Sequence, residues 1–296
     1  MWAQQERFAD LGYFREVVAG FGFDAIEVSH STDEDGLKRL LTRGIIPLSS
    51  LHAPTPHRWL EDGRHNGEAN LASLDETQRA VALAETQVTV DFASDGGLRY
   101  VVVHLGGVGD RRTRLERDLR ELYLEGRRDG AAWDDAREKL RLWRVQNAAP
   151  HLEAARRSLD QLVEYAAPRG VALGLESRLS YHEFPHPDEA LELLADYPNE
   201  TAGFWYDTGH CEVQSRLGML DWDQWLPRLS ERMIGTHLHD VDGLLDHRAP
   251  GNGSLDWKKV QSVIPAAALR VLEIDQHEPD ELVAGAREFL REQAIV

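Results

Sequence analysis

Short apolar runs alternate along this chain with segments whose apolar residues recur at helical spacing. This spacing predicts helices at residues 8–21, 36–43, 70–93, 152–166, 188–195, 222–229, 257–264 and 282–290. The runs between them that predict β-strands are FDAIEVS, IIPLSSLHAP, LRYVVVHLGG, VALGLES, GFWYDTGH, MIGTHLHD and RVLEID. Strands that alternate with helices indicate a parallel sheet. We therefore predict an α/β fold, a (β/α)8 TIM barrel that forms a single domain over residues 1–296.

Two segments depart from a plain barrel. A helical pattern from Phe8 to Phe21 precedes the first predicted strand, although such a barrel opens with a strand. We therefore expect the first strand to be truncated or missing from this chain. Residues 110–147, rich in Arg, Glu and Asp, predict a helical insertion after the His104 strand, beside the barrel mouth. Its charges predict a solvated helix face, with a lid or a subunit contact as the alternative.

Most predicted strands end in a polar residue that could bind a metal. These residues are His52, His104, Glu176, Asp207, His237 and Glu273. The last four follow one another at steps of 31, 30 and 36 residues, and one strand with its crossover helix takes about 30 residues or more. In a closed barrel such strand ends meet at one mouth. Each residue alone has a structural explanation, but the repeated position predicts a divalent-metal site.

The composition favours chemistry on small molecules. The 51 Asp and Glu residues outnumber the 33 Lys and Arg residues, and the net charge of −18 disfavours nucleic acid as a partner. A single cysteine, Cys211, fits a reducing cytoplasm, where we expect the protein. The sequence contains neither an apolar run of the ~18 residues that span a membrane nor a signal-peptide pattern, so we expect no membrane partner.

Seven motifs along the chain carry a resemblance to a known superfamily. They are SLHAP, VVVHLGG, LGLES, YDTGH, THLHD, PGNGSLDW and VLEID. Together they resemble the xylose-isomerase-like TIM barrels, which include sugar phosphate isomerases and epimerases, inosose dehydratases and the endonuclease IV type of abasic-site nuclease (AP endonuclease family 2). The resemblance spans residues 8–293 apart from the insertion.

The resemblance implies a metal-binding set. The residues that match the shared metal-binding quartet are Glu176, Asp207, His237 and Glu273. His52 and His104 match positions that bind a further zinc in the nucleases. Leu245 stands where the nuclease pattern has an aspartate, with Asp246 beside it, and this departure argues against a complete three-metal cluster.

Four further residues are candidates for substrate contact. His210 matches a residue that contacts substrate in the epimerases and a third metal in the nucleases. Arg178, Glu183 and His247 are candidates for hydroxyl or phosphate contacts. Arg178 is the natural anion clamp if the substrate carries a phosphate or a carboxylate.

These features predict a divalent-metal-dependent isomerase or epimerase of a sugar or related polyol. The ion, Mn²⁺, Mg²⁺, Co²⁺ or Zn²⁺, would stabilise an enediolate while Glu176 and Glu273 transfer the proton. The predicted partner is a small carbohydrate substrate. A homo-oligomer stays an open alternative to a monomer. The alternative functions are an endonuclease IV-like metal-dependent phosphodiesterase, an inosose dehydratase-like lyase and a non-catalytic binding barrel. One metal per chain favours an isomerase or lyase, and two or three favour the nuclease.

Overall fold

The protein is described by a computed structural model covering residues 1–42, 44–109 and 111–296. Its strands are β1 Ile26–Val28, β2 Leu48–His52, β3 Tyr100–Val103, β4 Ala172–Glu176, β5 Ala202–Asp207, β6 Met233–Leu238, β7 Asp240–Asp242, β8 Leu245–Arg248 and β9 Leu269–Leu272. Its α-helices are α1 Leu11–Gly20, α2 Glu34–Leu41, α3 Glu76–Asp95, α4 Arg114–Leu124, α5 Gly130–Ala166, α6 Pro187–Leu193, α7 Thr208–Arg216, α8 Trp222–Ser230, α9 Trp257–Val263 and α10 Asp280–Glu292. Within these ranges, no helix is both long enough and apolar enough to cross a membrane.

Seven strands form one parallel sheet in the order β1-β2-β3-β4-β5-β6-β9. Every residue of β4, β5 and β6 is buried, as expected for strands covered on both faces. The Trp205 ring on β5 occupies the space that Gly174 and Gly235 leave open on the two neighbouring strands. The predicted α/β barrel is therefore confirmed as a nearly closed one, and its strand ends meet at one mouth.

The nearly closed sheet has two edges. Among the described strands, β1 pairs only with β2, and β9 pairs only with β6. Helix α1 comes before β1 and begins at Asp10, whose side chain accepts hydrogen bonds from the first backbone N–H groups. The strand that would precede α1 in an eight-stranded barrel has no counterpart in the described residues, which agrees with the expected truncation.

Local elements differ from the predicted ones at several places. Helix α3 begins at Glu76 rather than near residue 70, because the Asp75 side chain caps its first N–H groups. Helix α7 begins inside the run GFWYDTGH, whose last three residues were wrongly predicted as strand, because the Asp207 side chain caps a helix there. The β7–β8 hairpin begins at the end of MIGTHLHD and extends into the segment DHRAPGNGSLDW, which was predicted as a loop. Helix α2 ends at Leu41, and Arg43, the predicted end, lies outside the described residues.

The insertion after β3 is helical, as predicted, but its second helix continues beyond residue 147. Helix α5 runs without a break through Pro150 into the helix layer of the barrel. The first half of α5 and helix α4 share an apolar cluster with Tyr181 and Val213, which follow β4 and β5 at the mouth. The insertion therefore lies beside the mouth. Asp110, where the predicted insertion begins, is outside the described residues.

Some charges of the insertion are buried rather than solvated. Glu116 is fully buried and accepts a hydrogen bond from the Tyr181 backbone N–H at 3.0 Å. Arg144 donates to both carboxylate oxygens of Glu189 on α6, at 2.7 and 2.9 Å, and to the Tyr181 carbonyl at 2.8 Å. These contacts fix the loop after β4, which carries Arg178 and Glu183.

Arg144→Ala is expected to lower the free energy of unfolding by about 3–5 kcal/mol, because it leaves the Glu189 carboxylate buried without its partner. Arg156→Ala is the matched control. Arg156 also joins α5 to α6, but its side chain and that of its partner Glu192 are 28% and 65% exposed. Its loss should cost less than about 1 kcal/mol. Urea unfolding followed by circular dichroism measures both losses, and equal values would contradict the stabilising role of the buried pair.

Candidate metal centre

The barrel brings the predicted quartet together at the mouth. Glu176 and Asp207 are the last residues of β4 and β5, His237 lies in β6, and Glu273 follows β9. One possible ligand atom from each lies within 4.8 Å of the others. His237 Nδ1 is 3.0 Å from Glu176 Oε1 and 3.1 Å from Glu273 Oε2. Three carboxylates therefore surround one imidazole nitrogen.

The charges of this group suit a cation at its centre. Although burial raises it, the pKa of Glu273 lies well below its ordinary value because His237 and His247 are close. Burial lowers the pKa of His237, yet Glu27, Glu273 and Glu176 raise it well above its ordinary value. Buried carboxylates at this density need compensating positive charge. A divalent ion bound by these oxygen and nitrogen donors would provide it, so the residues fit a metal.

Glu27 on β1 orients His237 and was not among the predicted site residues. Its Oε1 lies 2.8 Å from His237 Nε2, and its Oε2 accepts a hydrogen bond from Ser50 Oγ at 2.6 Å. Since Nε2–H donates to this carboxylate, Nδ1 is the nitrogen that would offer its lone pair to an ion held by the quartet. A carboxylate behind a ligating histidine fixes the tautomer and makes the imidazole a stronger ligand. The sequence feature that could have indicated this role was a glutamate inside the apolar run FDAIEVS.

Glu27→Ala is expected to weaken metal binding about 10–100-fold, because it removes the carboxylate that orients His237. Ser50→Ala removes only the hydrogen bond that orients Glu27, so its effect should be smaller. Competition with a chelator measures the metal affinity, and the thermal midpoint of the chelated protein checks the fold. Unchanged affinity in Glu27→Ala would exclude this role.

A second group consists of His52, His104 and Glu176. His52 Nδ1 donates to the Ala53 carbonyl at 3.1 Å, so Nε2, 3.5 Å from Glu176 Oε2, is the nitrogen that could bind an ion. His104 Nε2 is 2.5 Å from Glu176 Oε2, yet it makes no hydrogen bond of normal geometry within the described chain. Burial lowers the pKa of His104 to about 4, which keeps its imidazole neutral and able to bind a metal. This group also has the donor set of a cation site.

A third group, Asp207, His210, His239 and His247, lies on the other side of the quartet. The His247 backbone N–H donates to His239 Nδ1 at 2.7 Å, so the proton of His239 is on Nε2, 2.9 Å from Asp207 Oδ1. His239 therefore holds Asp207 in place, a contact the sequence did not predict. His210 Nδ1 donates to the Ser177 carbonyl at 2.9 Å, which leaves its Nε2 lone pair available.

The turn from β5 into α7 positions this third group. Asp207 Oδ1 accepts from the His210 backbone N–H at 2.7 Å and caps α7. Gly209 follows Asp207 closely, and any side chain there would collide with the His239 ring. The motif YDTGH thus combines a strand end, a helix cap and a close approach to the neighbouring strand.

The β7–β8 hairpin supplies a carboxylate despite the leucine at position 245. Leu245 faces solvent, with 64% of its surface exposed. Asp246 Oδ2 reaches the group instead, 3.3 Å from His247 Nδ1 and 3.8 Å from His210 Nε2. His247 has a φ of 58°, a left-handed conformation that is uncommon for residues other than glycine and clusters at functional sites.

Arg178, the predicted anion clamp, is engaged by two carboxylates. It donates to Glu176 Oε2 at 2.9 Å and to Glu183 Oε1 at 2.9 Å. Burial raises the pKa of Glu183, but Arg178, His182 and His104 together outweigh this and lower the pKa to about 2. An anionic substrate would have to compete with Glu183 for this guanidinium.

The fold is a parallel α/β barrel, and buried carboxylates and imidazoles lie together at its mouth. These features place the chain in the class of barrels whose mouth could hold a metal ion. A family model described as "Xylose isomerase-like TIM barrel" matches residues 15–293. The chain belongs to this family.

Three proteins similar to this chain share 29%, 19% and 15% sequence identity with it. Uncharacterized protein y4fM of Sinorhizobium fredii is 29% identical over 265 residues, which cover 88% of this chain and 69% of that protein. A D-tagatose 3-epimerase-like protein has a TM-score of 0.66 at 19% identity, over 94% of this chain and 91% of its own. D-psicose 3-epimerase from Clostridium cellulolyticum H10, solved with D-tagatose, has a TM-score of 0.67 at 15% identity, over 98% and 96% of the two chains. At these identities the structural likeness shows the fold.

Proposed function

We propose that this protein is a metal-dependent epimerase or isomerase of a ketose or related sugar, which moves a proton to and from carbon. The observation that carries the proposal is the placement of Glu176 and Glu273, which reach His237 Nδ1 from strands three apart. A sugar held between them could lose a carbon-bound proton to one carboxylate and regain one from the other. Similarity to the D-tagatose and D-psicose epimerases supports a carbohydrate substrate.

The two carboxylates are not equivalent. Both oxygens of Glu176 are engaged, Oε2 by His104 and Arg178 and Oε1 by His237. The ion-pair contacts of Glu273, with His237 Nδ1 at 3.1 Å and His247 Nε2 at 3.6 Å, both go to Oε2. Although burial raises them, the pKa values of both carboxyls lie well below the ordinary value, so both are ionised at neutral pH. Glu273 is therefore the freer base, and Glu176 is the group whose orientation is fixed.

The ion would be held by the quartet of Glu176, Asp207, His237 and Glu273, and when bound it stabilises negative charge that develops on a substrate oxygen. Carboxylates with one imidazole suit Mn²⁺, Mg²⁺, Co²⁺ or Zn²⁺. His210 and His247 face the same space and are the proposed contacts to substrate hydroxyls, since His210 Nε2 has its lone pair available. Arg178 and Glu183 act together, as an ion pair that orients Glu176.

Deuterium exchange tests the proposal. Purified protein loaded with each of the four metals is incubated with panels of ketoses, aldoses and inososes in D₂O. Nuclear magnetic resonance then follows deuterium entering the carbon beside the carbonyl and the appearance of an epimer or isomer. The chelated protein is the control. Absence of exchange with every sugar and every metal would reject the proposal.

A metal-dependent phosphodiesterase is the second candidate, and one observation favours it. Three overlapping groups of possible ligands lie at the mouth, with His52, His104 and Asp246 extending the quartet on its two sides. We expect one tightly bound ion per chain from elemental analysis after dialysis. Two or three tightly bound ions, together with cleavage of an abasic-site duplex, would favour the nuclease. An inosose dehydratase-like lyase would instead release water from its substrate.

A further inference from the structure

The insertion brings a positively charged surface to the mouth of an acidic protein. Residues 111–128, which include α4, contain seven arginines and four acidic residues, whereas the whole chain has a net charge of −18. The apolar cluster that α4 shares includes Tyr181 after β4, Val213 on α7 and Val241 on β7. The insertion therefore lies against the part of the mouth that runs from the loop after β4 to the β7–β8 hairpin.

Two arginines of this surface converge on one carboxylate. Arg112 Nε lies 3.4 Å and Arg120 Nη2 lies 3.2 Å from the same oxygen, Glu116 Oε1. The other oxygen, Oε2, accepts the Tyr181 backbone N–H. The Glu116 side chain is fully buried, whereas 34% of the Arg112 side chain is exposed. Two guanidinium charges therefore share one carboxylate, and Arg112 can be reached from solvent.

The charge of Arg120 is incompletely balanced by these contacts. Burial and the neighbouring Arg112 lower the pKa of Arg120 below its ordinary value, although Glu116 and Asp246 act in the opposite direction. An anion placed against the two guanidinium groups would favour their charged forms. The influence of Asp246 also locates Arg120, because the Asp246 carboxylate lies 3.8 Å from His210 Nε2 in the third group of possible ligands.

The two arginines are fixed to the loop that follows β4. Arg112 donates to Ser180 Oγ at 2.9 Å, and Arg120 donates to the Leu179 carbonyl at 2.9 Å. These partners come directly after Arg178, which contacts the quartet through Glu176. Arg112 and Arg120 therefore stand at the rim of the proposed active site.

Arg178 is less suited to hold an anion than this pair. Its guanidinium contacts the carboxylates of Glu176 and Glu183, both at 2.9 Å, so one positive charge faces two negative charges. At Arg112 and Arg120 the ratio is reversed. A guanidinium binds a carboxylate or a phosphate through two parallel hydrogen bonds, so both groups suit a site with spare arginine charge.

We propose that Arg112 and Arg120 form an anion subsite, which binds a carboxylate or phosphate at the end of the sugar remote from the carbon that exchanges its proton. This inference rests on the proposed function, because the anion belongs to the substrate of the same site. It names the substrate class as an acidic ketose, either a ketose phosphate or a keto sugar acid. The resemblance to the xylose-isomerase-like barrels does not extend to the insertion, so the subsite is a feature of this chain's own insertion.

Isothermal titration calorimetry on the metal-loaded protein tests the subsite. The ligands are D-fructose and D-tagatose, each compared with its 6-phosphate and its 6-carboxylate. We expect at least one anionic form to bind about tenfold or more tighter than its neutral parent sugar, the usual contribution of a hydrogen bond to a charged group. The form that gains more identifies phosphate or carboxylate as the recognised group.

Arg112→Gln should remove most of this advantage and leave binding of the neutral sugar unchanged. Arg112→Lys should keep part of it, because lysine retains the charge without the planar fork. Arg114→Gln is the matched control. It removes the same charge from the same helix, but the Arg114 side chain is 86% exposed and pairs with Asp118 instead. The thermal midpoint of each variant checks the fold.

Three results would overturn the proposal. The first is that no anionic ketose binds tighter than its neutral parent sugar. The second is that Arg114→Gln loses as much of the advantage as Arg112→Gln, since the effect would then come from overall charge. The third is an advantage that Arg112→Gln keeps and Asp207→Asn loses, since the anion would then bind the ion.

These measurements are independent of turnover. Tight binding of an anionic ketose that depends on Arg112, without deuterium exchange, would support the subsite and reject the epimerase. Deuterium exchange into neutral sugars, with no gain from an anionic group, would support the epimerase and reject the subsite.

Discussion

Asp207→Asn is expected to lose metal with little change in fold. The substitution keeps the size of the side chain and one oxygen that can accept from the His210 backbone N–H, so the cap of α7 survives. It removes the negative charge that the quartet presents to the ion. Removing a residue that only hydrogen-bonds to a metal ligand typically weakens metal binding about 10–100-fold. Loss of the charge of a ligand itself should therefore weaken binding on the order of 100-fold or more. Chelator competition and elemental analysis after dialysis measure the loss.

Asp256→Ala is the matched control for this prediction. Asp256 also caps a helix, α9, by accepting from the backbone N–H groups of Lys258 and Lys259, but it lies outside the three ligand groups. We expect both Asp256→Ala and Asp207→Ala to lose about 0.5–2 kcal/mol of stability from the missing cap. Only the Asp207 variants should lose metal. A fully loaded Asp207→Asn protein would remove Asp207 from the site.

The barrel and the quartet were predictable because both follow from chain topology. Each apolar run ends in a potential ligand once per βα unit, and parallel strands necessarily present those ends at one mouth. No knowledge of side-chain packing was needed to place Glu176, Asp207 and His237 together. The truncation of the first strand was also predictable, because the sequence has a helical pattern where a barrel is expected to have its first strand.

The support around the quartet was not predictable, because it depends on contacts between distant residues. Glu27 meets His237 across 210 positions of sequence. The tautomer of His239 is set by the backbone N–H of His247, which depends on the hairpin that the apolar pattern did not show. The leucine at position 245 led to the prediction that a complete three-metal cluster would not form. Sequence spacing alone could not show that the Asp246 side chain would turn inward toward His210 and His247.

The largest effect on turnover is expected from Glu273→Gln. The amide keeps the size and one oxygen donor of Glu273 but removes the negative charge that makes the carboxylate a base. Metal affinity should fall moderately, because an amide oxygen is a weaker ligand. Turnover of the proposed sugar substrate should fall about 10²–10⁴-fold, the usual contribution of general acid–base catalysis. The rate must be measured at saturating metal, so that lost occupancy is not mistaken for lost chemistry.

Asp275→Asn provides the matched control, two residues further along the same loop. Asp275 is partly exposed and pairs with His277 rather than with the quartet, so this variant should keep both metal and rate. If excess metal restores most of the Glu273→Gln rate, Glu273 only holds the ion, as in the phosphodiesterase alternative. A fully loaded Glu273→Gln protein that turns over at nearly the parent rate would remove Glu273 from proton transfer. Glu176 would then be the only base of the pair, although both its oxygens are already engaged by Arg178 and two histidines.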